Sequence, residues 1–278
     1  MDLDQYILLS LQEDVGPGDF SSLSCIPENA NSKANLIIKD KGILAGIELA
    51  ERIFKTVDAS LQINIFKKDG QQIDKGDVAF TVEGNVLAIL KSERLVLNCM
   101  QRMSGIASTT YLYAEQVKHT KAKILDTRKT TPLNRYIEKW AVRIGGGHNH
   151  RFGLYDMIMI KDNHVDYAGG IKQAIESANS FRKNRNLNIP IEIETRNLNE
   201  VEQVLNTGGV ERIMLDNFQT PLLKEAVALI GCRIETEASG GILLQNVKDY
   251  AETGVDYISV GALTHSFKSM DMSLKATR

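Results

Sequence analysis

The sequence predicts an α/β protein in two parts, a mixed region of strands and helices followed by a parallel α/β barrel. Residues 33–90 contain short β-type runs separated by turn residues, whereas strand and helix patterns alternate from about residue 123 onward. The last four predicted strands end 21 to 24 residues apart, which is the spacing of parallel strands joined by helices. This spacing alone fits a doubly wound sheet as well as a closed barrel.

Composition excludes several classes of protein. The 278 residues are 43% apolar and 24% charged, which is typical of a globular protein with a core. The net charge of −2 does not point to nucleic acid or to a membrane surface, and three cysteines argue against a disulfide framework or a zinc ribbon. An acidic start and the lack of a long apolar run predict a soluble, cytoplasmic protein.

The first part of the chain combines strands with two helices. A helix is predicted over Ile47–Val57, and a longer amphipathic helix is predicted to start near Ser92. Three runs rich in β-branched and aromatic residues predict strands, namely 35–38, 61–66 and 78–82.

The second part alternates strands and helices. Six strands are predicted over 123–127, 157–161, 189–194, 212–216, 233–237 and 257–261. Helices of about ten residues are predicted between the last four strands, over 198–205, 222–230 and 244–252.

Polar residues at the strand ends favour the barrel over the open sheet. Buried parallel strands are expected to be apolar inside, with polar groups only at their ends. Six predicted strands end in or next to a residue of functional interest, namely Asp126 with Arg128 and Lys129, Lys161, Glu194, Asp216, Glu237 with Ser239, and Gly261. Such groups at the carboxyl ends of many strands are typical of a barrel with its active site on that face.

Positive charge is concentrated in one segment. Residues 121–151 contain eight basic and two acidic side chains, and they also include Gly145-Gly146-Gly147, His148 and His150. A charge run is most often a solvated helix face, but the glycines and histidines do not suit one. The segment fits a small polyanionic ligand better than a nucleic acid duplex, because no aromatic residues are interleaved with the charges.

Candidate ligand-binding groups end or follow five of the predicted strands. Ser239-Gly240-Gly241 and Val260-Gly261-Ala262 follow the last two, where barrels commonly bind phosphate on backbone N–H groups. Glu194 and Asp216 end neighbouring strands and suit Mg²⁺ or ribose hydroxyls, although they could also neutralise lysines. Lys161 could form a Schiff base, but the surrounding cations favour anion binding.

Seven ordered motifs are similar to those of quinolinate phosphoribosyltransferases. The motif at Asp126–Pro132 (DTRKTTP) is joined by six matches, at 101–107 (QRMSGIA), 145–151 (GGGHNHR), 160–164 (IKDNH), 215–217, 237–241 (EASGG) and 258–266 (ISVGALTHS), and the family's order begins with residues 13–19. The matches span essentially the whole chain in the family's order.

The resemblance implies a fold and a reaction. The implied fold is an N-terminal α/β sandwich followed by an incomplete, seven-stranded barrel, with a seventh strand near residues 140–156. The implied domains are 1–108 and 109–267, with the tail 268–278 packed back on the first. The implied enzyme converts quinolinate and phosphoribosyl pyrophosphate (PRPP) to nicotinate mononucleotide, pyrophosphate and CO₂ with Mg²⁺, in de novo NAD biosynthesis. It acts as a homodimer, and assembly of dimers into hexamers is left open.

The resemblance also implies roles for individual residues. Arg102 would cross the dimer interface and, with Arg128, His150 and Arg151, bind the quinolinate carboxylates, and Thr127 would also bind substrate. The catalytic residues would be Lys129, Lys161, Glu194 and Asp216. Glu194 and Asp216 would hold the Mg²⁺-bound ribose of PRPP, directly or through water. Six residues would bind the 5′-phosphate, namely Ser239, Gly240, Gly241, Val260, Gly261 and Ala262.

Two departures from the family pattern stand near these residues. Leu133-Asn134 replaces the usual Gly-Leu after the DTRKTTP motif, and Thr195-Arg196 replaces the usual Val-Glu after Glu194. Three alternative hypotheses remain: a paralogue associated with molybdenum transport, a Schiff-base aldolase using Lys161, and a phosphate-ligand binder without activity. A metalloenzyme has little support, because the five histidines lack the spacing of metal ligands.

Overall fold

The computed structural model describes residues 2–277 and confirms the predicted fold class, with a four-stranded and a two-stranded antiparallel sheet and one six-stranded parallel sheet. The chain divides into two compact units. The first contains residues up to Tyr111, Thr130–Gly146 and the stretch from Thr264 onward, and the second contains Leu112–Lys129 and Gly147–Leu263. No helix among the described residues is long and apolar enough to cross a bilayer.

The early part of the first unit contains helices and antiparallel strands. In chain order its early elements are α1 (Leu3–Val15), α2 (Phe20–Cys25), β1 (Asn31–Ile38), β2 (Gly42–Ile43), α3 (Ile47–Val57), β3 (Gln62–Ile65), β4 (Gln72–Ile73), β5 (Val78–Asn85) and α4 (Val86–Val117), a helix that continues into the second unit. The rings of Phe54 on α3 and Phe80 on β5 pack edge to face, at 5.8 Å between centroids, so α3 covers one face of the sheet.

The prediction that the long helix starts near Ser92 was wrong by six residues. Helix α4 begins at Val86, directly after β5. The side chain of Asn85 accepts a hydrogen bond from the backbone N–H of Ala88 at 3.1 Å, which satisfies one of the free donors of the first helical turn. The turn-like sequence Glu83-Gly84-Asn85 is therefore the end of a strand joined to a helix cap.

The second unit contains the parallel sheet. The remaining elements of the chain are β6 (Lys123–Leu125), α5 (Arg135–Ile144, in the first unit), β7 (Ile158–Ile160), α6 (Asp162–Ala168), α7 (Ile171–Asn184), β8 (Ile191–Thr195), α8 (Leu198–Thr207), β9 (Arg212–Asp216), α9 (Thr220–Ile230), β10 (Glu235–Ser239), α10 (Val247–Ala251), β11 (Tyr257–Ser259), α11 (Ala262–His265) and β12 (Met272–Ala276, in the first unit).

The parallel strands follow the order of an incomplete barrel. The sheet runs β6-β11-β10-β9-β8-β7, so consecutive strands are neighbours from β7 to β11 and β6 closes on β11. The expected seventh strand is reduced to one parallel bridge between Leu125 and His148. The Gly145–Gly147 run precedes this bridge, and glycine disfavours an extended strand.

One barrel strand lies two residues later than predicted. Strand β10 covers Glu235–Ser239 rather than 233–237. Helix α9 ends at Ile230 with Gly231 as its cap, and the guanidinium of Arg233 donates to the carbonyls of Leu229 and Ile230, so Arg233 caps the helix rather than starting the strand. Glu237 therefore lies in the middle of β10, and Ser239 ends it.

The C-terminal stretch completes the first sheet. Strand β12 pairs antiparallel with β1, giving the order β12-β1-β5-β3. A Cβ on Gly105 of α4 would lie 2.2 Å from the carbonyl oxygen of Lys268, so only glycine permits this close approach between helix and backbone. This contact gives the glycine of the QRMSGIA motif a structural role.

Candidate active site

The carboxyl ends of neighbouring parallel strands bring together four residues that were predicted to form the site. Lys161 directly follows β7, Glu194 lies near the end of β8, and Asp216 ends β9. Nζ of Lys161 donates to Oε2 of Glu194 at 2.9 Å, and Asp216 pairs in register with Ser239 at the end of β10. Lysine and carboxylate thus meet at the sheet edge where barrel enzymes place their chemistry.

The predicted cations lie on two neighbouring segments. Thr127, Arg128 and Lys129 follow β6, and Oγ1 of Thr127 accepts from the backbone N–H of Lys129 at 3.0 Å. Arg151 is half-buried, and its Nη1 donates to the carbonyl of Met157 at 3.3 Å. Burial, and then the nearby charge of Arg128, lower the pKa of Arg151. The two guanidinium groups are therefore close enough to repel, which an anionic ligand would relieve.

The glycine turn after β10 has the close packing that a backbone phosphate site requires. A Cβ on Gly240 would lie 2.2 Å from Oδ1 of Asn217, and Gly241 also has a positive φ, of +61°. Gly261 and Ala262 follow β11, and Val260 is buried with its N–H on the carbonyl of Leu125 at 2.9 Å. No other residue type fits at Gly240, because a side chain there would collide with Asn217.

Arg102 lies in the first unit, on α4. Its Nη1 donates to Oε1 of Glu138 at 2.6 Å and to Oγ1 of Thr131 at 3.1 Å, and its guanidinium lies 5.1 Å from the ring centre of Phe267. Glu138 is fully buried, so the ion pair fixes the guanidinium firmly. The side chain also lines a cavity of about 510 Å³ within this unit.

His150 lies in the barrel interior, in a cluster that the sequence patterns did not predict. Its Nε2 lies 3.1 Å from Glu192 and 3.3 Å from Oε2 of Glu237, and both glutamates are fully buried. Nη1 of Arg212 lies 3.1 Å from the same oxygen of Glu237. On the other side of the ring, Nδ1 of His150 accepts from the backbone N–H of Arg151 at 2.7 Å.

The contacts of His150 bear on its predicted role. Both ring nitrogens are engaged by the protein, so a quinolinate carboxylate would have to exchange with one of these contacts. The position of His150 as a quinolinate ligand therefore stays a prediction. Among the described residues, His150, Glu192 and Glu237 also form a group whose ligand atoms lie within 4.8 Å of one another, a spacing compatible with a metal ion.

Burial and like charge govern the titration of this cluster. Burial, and then the charge of Glu237, raise the pKa of Glu192 to about 7. Burial alone would lower the pKa of His150, but the carboxylates of Glu192 and Glu237 beside Nε2 outweigh burial and raise this pKa. A second ring proton would lie on Nδ1 and face the N–H of Arg151. The contact with Arg151 therefore requires a ring whose single proton lies on Nε2, facing the two carboxylates.

Asp126 connects the segment that contains His150 to the end of strand β6. It is fully buried beyond the end of β6, and its Oδ1 accepts from the backbone N–H of His150 at 2.9 Å. Its other oxygen accepts from the side chain of Asn149. Asp126 was predicted to stand among groups with a chemical role, whereas the structure shows it holding the 149–150 segment.

The sequence does contain a signal for the missed residues. Glu192 and Glu194 alternate on β8, Arg212 and Asp216 share a face on β9, and Glu235, Glu237 and Ser239 share a face on β10. Polar residues at every second position of β8 and β10, with Arg212 and Asp216 at the two ends of β9, predict a polar barrel interior. This pattern contradicts the expectation that such strands are apolar except at their ends.

The departure from the family pattern after Glu194 is accommodated by local contacts. Thr195 is buried and its hydroxyl donates to the carbonyl of Met214 at 3.1 Å. The guanidinium of Arg196 is exposed and pairs with Glu200 at 2.6 Å and with Asp166 at 3.3 Å. Its positive charge is therefore balanced on the surface.

The departure after the DTRKTTP motif preserves the turn but strains the backbone. Leu133 has a φ of +66°, in the left-handed region where glycine is favoured, and its side chain is 74% exposed. Oδ1 of the neighbouring Asn134 accepts from the hydroxyl of Tyr6 at 3.0 Å, and Nε of Arg135 donates to Thr130 at 3.0 Å. The turn and Arg135 are thus both placed without the glycine.

Leu133→Gly should raise the free energy of unfolding by about 1 kcal/mol, because glycine adopts this φ without the clash of a Cβ. Urea denaturation measures the change. Leu154→Gly is the matched control, since Leu154 is also exposed but does not have a positive φ, and this variant should not gain stability. Equal effects in the two variants would contradict strain at Leu133.

Comparison with known proteins identifies the family. The model of the quinolinate phosphoribosyl transferase N-terminal domain matches residues 19–104, and that of the C-terminal domain matches residues 106–275. A chloroplastic nicotinate-nucleotide pyrophosphorylase [carboxylating] of Oryza sativa is 49% identical, over 99% of this chain and 77% of the relative. A probable nicotinate-nucleotide pyrophosphorylase [carboxylating] of Bacillus subtilis is 43% identical, over 95% of this chain and 90% of the relative.

A solved structure agrees with these matches. The crystal structure of NadC from Streptococcus pyogenes has a TM-score of 0.93 and 37% identity, and the match covers 99% of this chain and 97% of that one. Sequence motifs, domain matches and fold therefore converge on the same result. This chain belongs to the quinolinate phosphoribosyltransferase family of phosphoribosyltransferase enzymes.

Proposed function

We propose that this protein converts quinolinate and PRPP to nicotinate mononucleotide, pyrophosphate and CO₂ in NAD biosynthesis. The proposal rests on one observation in a chain of this family: the carboxyl ends of the barrel strands carry both cationic and carboxylate side chains. Quinolinate is a dicarboxylate and PRPP carries a phosphate and a diphosphate. A site for both must balance many negative charges while stabilising a positive ribose.

The cations suit the quinolinate side. Arg128 and Arg151 are guanidinium groups close enough to repel, and each can bind a carboxylate through two hydrogen bonds. Lys129 and Lys161 add point charges, and Thr127 adds a hydroxyl. Bringing two anionic reactants into line in such a site supplies much of the rate enhancement, without a covalent intermediate.

The carboxylates suit the ribose side. Glu194 and Asp216 are oxygen donors at the ends of adjacent strands, a donor set that fits Mg²⁺ bound directly or through water. When bound, Mg²⁺ would neutralise charge on the departing pyrophosphate. Glu194 and Asp216 stabilise the positive charge that develops on the ribose as its bond to pyrophosphate breaks. The turns at Ser239–Gly241 and Val260–Ala262 bind the 5′-phosphate through backbone N–H groups.

The loss of CO₂ follows from the first step. The quinolinate nitrogen attacks C1′ of the ribose and becomes a pyridinium. This cationic ring stabilises the electron pair left on C2 when the adjacent carboxylate departs as CO₂, and C2 then takes a proton from the medium to give nicotinate mononucleotide. The protein's part is to hold the dicarboxylate in position and to keep water from the reacting centre.

Assembly and location complete the proposal. A homodimer in which Arg102 of one subunit reaches the barrel of the other is supported by the family resemblance. Assembly into hexamers stays open. The cytoplasmic location stays a prediction, and plant relatives are named chloroplastic or mitochondrial.

The test is an assay of purified protein with quinolinate, PRPP and Mg²⁺. We expect nicotinate mononucleotide and CO₂ in equal amounts, and neither product when nicotinate replaces quinolinate. Binding of PRPP without turnover would contradict the proposal and favour a paralogue with another role. Borohydride trapping of Lys161 with a sugar phosphate would favour the Schiff-base hypothesis instead.

A further inference from the structure

The cluster around His150 contains two carboxylates to which the proposed reaction gives no role. Glu192 on β8 and Glu237 on β10 are both fully buried in the barrel interior. Their nearest oxygens lie 3.1 Å and 3.3 Å from Nε2 of His150. Two buried carboxylates on one ring nitrogen are costly unless they are paired, and Arg212 supplies the opposite charge at 3.1 Å from Glu237.

The same ring is tied to a predicted substrate-binding residue on its opposite edge. Nδ1 of His150 accepts from the backbone N–H of Arg151 at 2.7 Å. The backbone N–H of His150 is held by Asp126 at 2.9 Å, and the guanidinium of Arg151 is held on the carbonyl of Met157. Rotation of the His150 ring would break the contact with Arg151. The orientation of the ring therefore sets the position of the Arg151 backbone.

We propose that Glu192 and Glu237 are positioning residues, which hold the His150 ring so that its Nδ1 fixes Arg151 for binding of the dicarboxylate. The proposal rests on the proposed function, which places Arg151 at the quinolinate carboxylates. In this proposal Glu192, Glu237 and Arg212 support the residues that would contact substrate. These glutamates contact neither substrate nor reacting atoms.

Two alternative roles for this cluster, a purely stabilising ion pair and a metal site, explain fewer of its contacts than the positioning role does. Buried ion pairs can often be replaced by apolar residues without loss of stability, so the fold itself does not require one here. A metal ion on His150, Glu192 and Glu237 would add a cation where Arg212 already neutralises Glu237. Neither role uses the hydrogen bond from Arg151 to Nδ1.

The kinetic test compares substitutions at Glu237 with a matched control. Glu237→Leu should raise the KM for quinolinate by about tenfold, because small displacements of a binding group are costly, while the KM for PRPP changes less than about twofold. Glu237→Gln keeps a hydrogen-bond acceptor and should recover most of the affinity. Glu192→Leu and Glu192→Gln should behave in the same way.

Glu235→Gln is the control, because Glu235 lies on the same strand and pairs with the same arginine at 3.1 Å, but is 51% exposed. It should leave both KM values unchanged. A merely structural role would lower kcat through loss of active protein and leave KM unchanged, and that result would overturn the proposal. A fall in the KM for quinolinate in the Glu192 or Glu237 variants would also overturn it. The glutamates would then act only by weakening the attraction of the nearby cations for the dicarboxylate.

A spectroscopic test does not depend on turnover. In protein labelled with ¹⁵N-histidine, the His150 ring signals are identified by their loss in His150→Asn. They should shift in Glu237→Gln and stay in place in Glu235→Gln. Unchanged signals in both variants would overturn the proposal. If the wild-type protein makes no nicotinate mononucleotide, the proposed function fails, yet these spectra still decide whether the glutamates orient the ring.

Discussion

Lys161→Met should lower kcat/KM for quinolinate by about 10²- to 10³-fold, which is the usual cost of removing one charged donor from a site that stabilises developing charge. The side chain keeps an apolar stem of similar length but loses the ammonium group that contacts Glu194 at 2.9 Å. Two effects then act together: an anionic substrate loses a cation, and Glu194 keeps a charge without its partner. Steady-state kinetics with each substrate varied in turn would measure the loss.

Lys172→Met is the matched control for this prediction. Lys172 lies on α7 and its side chain is 70% exposed, with Glu176 at 3.9 Å as its ionic partner. A surface pair of this kind contributes little, so this variant should keep the kinetics of the wild type. A similar loss in both variants would mean that Lys161 acts only through the overall charge of the protein.

The architecture could be predicted from the sequence because strand and helix patterns are local. Helix α3 and strand β9 have the predicted bounds, and each of the six predicted barrel strands has a counterpart. Period-two and helical spacing depend only on the residues of one segment. The start of α4 was predicted wrongly because one residue there belongs to two elements: Asn85 ends a strand and also caps the helix.

The polar barrel interior was harder to predict because it depends on register between strands. Glu192 pairs with Arg212, and Glu237 lies two residues from the partner of Arg212 on β10. A strand shifted by two residues moves Glu237 from the end of the barrel to its middle. His150 joins the cluster from a segment with a single bridge to β6, which no strand pattern indicates.

The site could be predicted more fully from motifs than from physical patterns. The spacing of Lys161, Glu194 and Asp216 predicted that their strand ends would lie on one edge, and the structure places them there. Their roles in binding come from the family resemblance. Arg102 illustrates the difference, because nothing in the spacing of an amphipathic helix indicates that one of its arginines serves a second subunit.

Mixing two inactive variants should restore activity if Arg102 serves the partner's barrel. In a hybrid dimer of Arg102→Ala and Lys161→Ala, one barrel keeps Lys161 and receives an intact Arg102 from the other subunit. Random pairing of equal amounts makes half of the dimers hybrid, with one intact site each, so about a quarter of wild-type activity should return. Each variant alone should have almost none, because each lacks a charged group in both sites.

The experiment requires proof that subunits exchange and a control for damage to the first unit. Native mass spectrometry of differently tagged variants would show the hybrid dimers. Arg52→Ala removes another arginine of the first unit, one that pairs with Asp4 at 2.7 Å on the surface, and it should keep full activity on its own.

The contact of Arg102 with Glu138 makes the outcome informative in both directions. The ion pair at 2.6 Å with a fully buried carboxylate would hold the guanidinium in one place whether or not a partner is present. Recovery of activity would show that this preorganised group completes a site on the other chain. Hybrid dimers without activity would show instead that Arg102 serves its own subunit, and the shared site would have to be abandoned.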